Sequence, residues 1–203
     1  MLEAGNILLH RRAIQVGQPA LFLDRDGVIN IDGGYVHDPA SVRLIDGAAA
    51  MVRAFNAIGW PVIVVSNQSG IGRGYFSRAA AIAVQDQIET LLMTEESWLD
   101  AVFLCSATPV STGALAKWRK PDCGMFLAAE QLFGISLHDS IMVGDRLTDM
   151  QAAAGARLRG GFWLTQEPLA DPFIDKFPVH VITSLEAVRP ETLSVFTRSQ
   201  SHG

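Results

Sequence analysis

Four uninterrupted apolar runs constrain this chain more than any other feature: ALFL at 20–23, VIVV at 62–65, AVFLC at 101–105 and SIMVG at 140–144. A strand with one wet face alternates apolar and polar residues. A strand covered on both faces reads as a continuous apolar run. The stretches between these runs have helix length. Residues 47–58 are stopped by Gly59, and 77–93 open on Ser77 as an N-cap. Residues 121–133 carry Pro121 in the first turn and end at Gly134, and 147–154 end at Gly155. Strand alternating with helix predicts an α/β fold, a doubly wound and mainly parallel sheet with helices on both faces. A fifth strand is expected in GGFWLT at 160–165, and a short sixth strand and helix in 179–188. No inserted segment has the length of a separate cap domain, and no repeat is present. One domain is therefore expected over all 203 residues, with its core at about 18–190 and a polar, fraying tail at 197–203.

Composition narrows the function. A net charge of −5 argues against non-specific binding to nucleic acid or to an anionic membrane surface. It leaves room for an anionic small molecule held by a few local basic groups. Cys105 and Cys123 are too few for a disulfide framework, which favours a reducing compartment. The start, MLEAGNILLHRRAIQ, places its arginines after a short apolar stretch, the reverse of a signal peptide. No apolar run approaches the ~20 residues of a membrane span. A cytoplasmic protein is expected, and a monomer, since no helix shows a spare apolar face.

The chemistry-bearing residues follow the apolar runs. Asp24 and Asp26 come after the first, and Ser66, Asn67 and Gln68 after the second. Arg119 and Lys120 lie in the connection leaving the third, and Asp145 and Asp149 come after the fourth. Ligands of open α/β sheets bind outside the carboxyl ends of the strands. Parallel strands would therefore gather these carboxylates, a hydroxyl and two cations at one edge, an inventory that suits a metal ion and a phosphate. Each piece alone has a plainer reading. Asp-x-Asp before Gly27 makes turns, Ser-Asn begins loops, and acids four apart on a helix are usually solvated. The ordered set of four carries the argument.

The strings DRDGVIN, VVSNQSGIGRGYF, RKP…GM and VGDRLTDMQAA resemble the four motifs of the haloacid dehalogenase (HAD) superfamily of phosphatases. The longer strings are similar to the branch containing heptose 1,7-bisphosphate 7-phosphatases and histidinol-phosphate phosphatases. The resemblance runs from about Leu21 to Ala154. It implies Mg²⁺ as cofactor, Asp24 as nucleophile and Asp26 as general acid and base, with Arg25 pointing elsewhere. The metal would be held by Asp24, Asp145 and the backbone carbonyl of Asp26, with Asp149 behind them. Ser66, Arg119 and Lys120 would stabilise the phosphoryl group. Asp32, Gly33, Gly34, Tyr35, Asn67, Gln68, Ser69 and Arg146 would join Arg119 and Lys120 around the substrate. Arg73 is left between substrate and solvent.

The chain departs from the branch at Ser66, where threonine is common, and at Arg146, where lysine is typical. It also lacks the three cysteines and histidine that often hold a structural zinc between the second and third motifs. Only Cys105 stands at such a position, so structural zinc is expected to be absent and the loop to be held by Leu115 and Trp118. The resemblance implies a phosphate monoesterase acting on a small metabolite, with heptose 1,7-bisphosphate ahead of histidinol phosphate or another sugar phosphate. A non-catalytic binding protein on the same fold is the remaining alternative.

Overall fold

The computed structural model describes residues 6–166 and 177–196; the tail expected to fray, 197–203, lies outside them. Seven strands form one sheet: β1 (Ile7–His10), β2 (Leu21–Leu23), β3 (Val62–Asn67), β4 (Ala101–Cys105), β5 (Ile141–Gly144), β6 (Gly160–Leu164) and β7 (Val179–Ile182). Their order is β1-β4-β3-β2-β5-β6-β7. Every pairing is parallel except β1 with β4. The helices are α1 (Ala48–Ala57), α2 (Ser69–Gly72), α3 (Arg78–Thr94), α4 (Gly113–Lys117), α5 (Gly124–Phe133) and α6 (Leu147–Gly155). None is long and apolar enough to cross a membrane.

The uninterrupted apolar runs split between two cores by the period of two that a strand imposes. Leu21, Leu23, Val62, Val64, Val102, Leu104, Ile141 and Val143 pack with Met51 and Phe55 of α1 and Val84 and Ile88 of α3. Phe22, Ile63, Val65, Phe103 and Met142 face the other way, against Met125, Phe126 and Ala129 of α5 and Met150 of α6. The expected doubly wound architecture is present.

Three details differ from the sequence reading. β1 is an antiparallel edge strand of four residues, too short to show a pattern beside Arg11 and Arg12. Leu193 and Phe196, in a 3₁₀ segment at Pro190–Phe196, are buried against the sheet. The packed unit is therefore wider at both ends than 18–190. α5 begins at Gly124, with Cys123 as its N-cap, and not at Pro121. Residues 119–122 instead make a turn closed by the Asp122 N–H on the Arg119 carbonyl at 2.8 Å, with a cis Lys120–Pro121 peptide. That turn delivers Lys120 to the sheet edge.

The chain runs outward from β2 through β3 to β4, then returns to the other side of β2 as β5. The carboxyl end of β2 is thus the topological switch point, where a ligand crevice opens in this class of sheet.

Candidate active site

The last rung of the β2 ladder fixes Asp24. Its N–H donates to the Val143 carbonyl at 3.0 Å, between β3 and β5. Beyond it the chain turns sharply: the Arg25 carbonyl accepts from the N–H groups of Ile29 at 2.8 Å and Asn30 at 3.2 Å. Gly27 makes the turn at φ +86°, and a Cβ there would stand 2.2 Å from Asp145 Oδ2. Only glycine satisfies both the backbone angle and the approach of that carboxylate.

Asp26 is caged by donors. Arg25 Nε and Nη2 reach its two oxygens at 3.1 and 2.8 Å, Asn30 Nδ2 reaches Oδ1 at 2.9 Å, and Gln68 Nε2 reaches Oδ2 at 2.6 Å. Arg25 does not point away, as the sequence suggested; its side chain is fully buried and grips its neighbour in two places. Burial alone would raise the Asp26 pKa, but the Arg25 charge and these hydrogen bonds outweigh it and hold the group below its ordinary value.

The end of β3 supplies three polar residues with distinct partners. Ser66 is buried and accepts from Gln68 Nε2 at 3.1 Å. Asn67 clasps the backbone of Lys120 twice, its Nδ2 donating to the carbonyl at 2.9 Å and its Oδ1 accepting from the N–H at 3.0 Å. Both amides, expected at the substrate, are engaged with neighbouring protein groups while also lining the cavity.

Lys120 is 2 % exposed, and its Nζ lies 3.1 Å from Asp24 Oδ1 and 2.6 Å from Asp149 Oδ1. Burial disfavours the ammonium, but Asp149 and then Asp24 hold its pKa above the ordinary lysine value. Asp149 also accepts the Arg146 N–H at 3.0 Å, capping α6. It is wholly buried, not a solvated helix residue.

Carboxylate oxygens of Asp24, Asp145 and Asp149 all lie within 4.8 Å of one another. Burial, and then the repulsion of Asp149, Asp145 and Asp26, push Asp24 up to about 7 against the pull of Lys120. Burial and Asp149 push Asp145 up to about 6. Among the described residues Asp145 Oδ1 is buried without a hydrogen-bond partner. An excess of buried negative charge with an orphaned acceptor is what a hard, oxygen-seeking divalent cation would satisfy. The residues present therefore fit Mg²⁺.

These groups open into a cavity of about 460 Å³. Asp24, Asp26, Asp32, Gly34, Tyr35, Ser66, Asn67, Gln68, Ser69, Arg119, Lys120, Arg146 and Asp149 all line it. Gly33 is not a lining residue, and Asp145 lines a neighbouring cavity with Gly27 and Trp163, its backbone carbonyl accepting from Trp163 Nε1 at 3.0 Å. Gly70 of the GIGRGY stretch, Leu147 and Thr148 complete the wall.

Across the mouth, Arg146 Nη2 donates to Asp32 Oδ2 at 2.9 Å. Arg119 donates to the Ala107 carbonyl at 3.0 Å. Burial, and then repulsion from Arg73 and Arg146, lower its pKa. In the loop beyond β4, Cys105 ends its strand buried, with Sγ 3.8 Å from the Leu115 carbonyl, and Trp118 packs on Phe103 at 5.5 Å between ring centroids.

Residues 4–157 match the haloacid dehalogenase-like hydrolase family. A D-glycero-β-D-manno-heptose-1,7-bisphosphate 7-phosphatase from Mesorhizobium japonicum is 41% identical over 158 residues, 76% of this chain and 73% of its own. A relative from Burkholderia mallei, named for the α anomer of that substrate, is 41% identical over 141 residues, covering 68% and 75%. Among solved structures, a provisionally assigned HAD-like phosphatase from Mesorhizobium loti superposes with TM-score 0.83 at 34% identity, over 97% of this chain and 95% of its own. The D,D-heptose 1,7-bisphosphate phosphatase of B. bronchiseptica, complexed with magnesium and phosphate, gives TM-score 0.74 at 28% identity, over 87% and 99%. This chain belongs to the haloacid dehalogenase-like hydrolase family and is a phosphoric monoester hydrolase.

Proposed function

We propose that the enzyme removes the 7-phosphate of D-glycero-D-manno-heptose 1,7-bisphosphate with Mg²⁺ as cofactor, through an aspartyl-phosphate. The observation that carries the reaction is the joint approach of Asp24, Lys120, Asp149 and Asp145 at the end of β2. The names of the relatives support the substrate.

Asp24, Asp145 and the backbone carbonyl of Asp26 would hold the metal, with Asp149 bound instead to Lys120 and to the α6 N-terminus. Mg²⁺ bound there would polarise a phosphoryl oxygen and offset the charge of phosphate and nucleophile. In the first half-reaction an Asp24 oxygen forms a bond to phosphorus while the bond from phosphorus to the sugar oxygen breaks. Asp26, taking a proton from the incoming phosphate monoanion, gives it to that oxygen. In the second, Asp26 takes a proton from water, the water oxygen bonds to phosphorus, and the Asp24–phosphorus bond breaks. The proton gained restores the acid for the next substrate. Ser66, Arg119 and Lys120 donate to phosphoryl oxygens throughout. Asp32, Gly34, Tyr35, Ser69 and Arg146 form the open rim that meets the sugar.

The test is phosphate release from a panel of heptose 1,7-bisphosphates, histidinol phosphate and an aryl phosphate, with wild type and Asp24→Asn. Wild type should prefer heptose bisphosphate over histidinol phosphate by ~10²-fold or more in kcat/KM, a gap that a few hydrogen bonds and an ion pair can supply. Asp24→Asn should be inactive on all. Comparable efficiency on both metabolites would remove the heptose assignment, and an active Asp24→Asn would remove the mechanism.

A further inference from the structure

Gln68 touches two groups of the proposed mechanism at once. It stands one residue past β3, 4 % exposed, with Nε2 at 2.6 Å from Asp26 Oδ2 and 3.1 Å from Ser66 Oγ. Chemistry decides which end of the amide faces Asp26. Arg25 and Asn30 already direct donors at both oxygens of Asp26, so the side chain meets Gln68 as an acceptor and the amino group must be there. Its two hydrogens then serve the two acceptors.

The consequence falls on Ser66. A hydroxyl has one hydrogen to give and can accept through its lone pairs. With Gln68 donating to it, Ser66 is an acceptor on that side. Its hydroxyl hydrogen makes no hydrogen bond among the described residues, and Ser66 lines the same cavity as Lys120 and Asp24.

We infer that Gln68 is a positioning residue that orients the Ser66 hydroxyl as a donor toward the phosphoryl oxygen and links it to the Asp26 carboxylate. It is not a recognition contact for the organic part of the substrate. This rests on the phosphatase reading above. The organic part must then be read by the rim, where Asp32, Tyr35 and Arg146 stand at the cavity mouth.

A double-mutant cycle on an aryl phosphate tests the inference. The aryl leaving group departs without a proton, and kcat/KM reports only steps through its departure, so the measurement isolates Ser66 from the proton transfers of Asp26. Gln68→Met keeps the length of the side chain and removes the donor. It should lower kcat/KM by ~10-fold with Ser66 present, the scale of one misdirected hydrogen bond. In a Ser66→Ala background it should lower it less than ~2-fold, because the group it orients is gone. Equal losses in both backgrounds would overturn the inference. So would a loss confined to KM for a sugar phosphate with the aryl phosphate unchanged, since that is the signature of a substrate contact. Gln68→Glu, of the same shape but with an acceptor in place of the donor, repeats the cycle if the methionine variant melts early. Asp24→Asn, run beside them, reports on the phosphatase reading separately: its inactivity upholds that reading whatever the Gln68 variants do.

Discussion

Lys120 Nζ lies closer to Asp149 Oδ1, at 2.6 Å, than to Asp24 Oδ1, at 3.1 Å. The ammonium is therefore anchored from behind, by a carboxylate that also caps α6, and extends toward the nucleophile. Asp149→Asn keeps a side chain that can accept at the helix terminus and removes the anchoring charge. Lys120 keeps Asp24 as a second partner, so the loss should stay below the ~3–5 kcal/mol of a fully broken buried ion pair, and kcat/KM should fall by about 10- to 100-fold while the protein stays folded. Steady-state kinetics with a melting curve checks this. Unchanged kcat/KM would mean that Asp24 alone holds the ammonium.

The crowded carboxylates make the metal-free protein sensitive to pH. Folding raises Asp24 to about 7 and Asp145 to about 6, against an ordinary 3.8. Between those values the folded chain holds protons that the unfolded chain has released, so the stability they contribute is lost as pH rises. In EDTA the melting temperature should fall from pH 5 to pH 8. Mg²⁺ should raise it at pH 8 and much less at pH 5. An equal shift at both values would show that these carboxylates do not receive the cation.

The two acids after β2 should fail differently. Asp26→Asn leaves the backbone carbonyl in place, so Mg²⁺ stabilisation in a melting assay should persist while sugar-phosphate turnover drops by ~10²–10⁴-fold. Its kcat/KM on an aryl phosphate should fall far less, because that leaving group needs no proton. Matching losses on the two substrates would remove the acid role from Asp26.

Gly27→Ala tests the packing behind the site. The new methyl must occupy space 2.2 Å from Asp145 Oδ2 at a backbone angle of +86°. Asp145 should be displaced, and the Mg²⁺ concentration for half-maximal activity should rise by ~10-fold or more, the scale of a perturbed metal ligand shell. An unaltered Mg²⁺ dependence would show that Asp145 is not a ligand.

The segment after β4 should carry no stoichiometric metal. Cys105 is buried at the strand end, and burial pushes its thiol up, away from the thiolate that zinc requires. Elemental analysis after purification without chelator should find well under one zinc per chain, and activity lost to EDTA should return with Mg²⁺ alone. One tightly held zinc would overturn this reading of the loop.

Much of this was legible before any coordinates. Continuous apolarity identified the central parallel strands because a strand covered twice has no polar face to display, and the motifs after them meet at the switch point. What escaped depended on partners distant in sequence or on reversals of direction. β1 is four residues that find their place by an antiparallel seat on β4 and the burial of Ile7. Arg25 reads as a residue turned out between two inward acids, yet the tight turn after β2 folds its guanidinium back onto Asp26. Asn67 and Gln68 carry no label for whether an amide faces substrate or protein, since that is settled by Lys120, Asp26 and Ser66. Pro121 looked like a helix start because proline suits that position, but the turn at 119–122 takes it first.

Asn67 holds Lys120 by both its N–H and its carbonyl, as a neighbouring strand would. The position of the ammonium is thereby referenced to β3 and not to the residues that lead up to it. Ala107 still holds Arg119 through its carbonyl, and Leu115 and Trp118 still pack the loop onto the sheet, but the largely exposed turn at 109–114 is left with no duty to aim Lys120. That turn can change length or carry new side chains toward the entrance while the phosphate-binding end stays in register. Selectivity and turnover in this enzyme are mechanically uncoupled at that point, and a library diversified between residues 109 and 114 should retain aryl phosphate hydrolysis while its choice among sugars drifts.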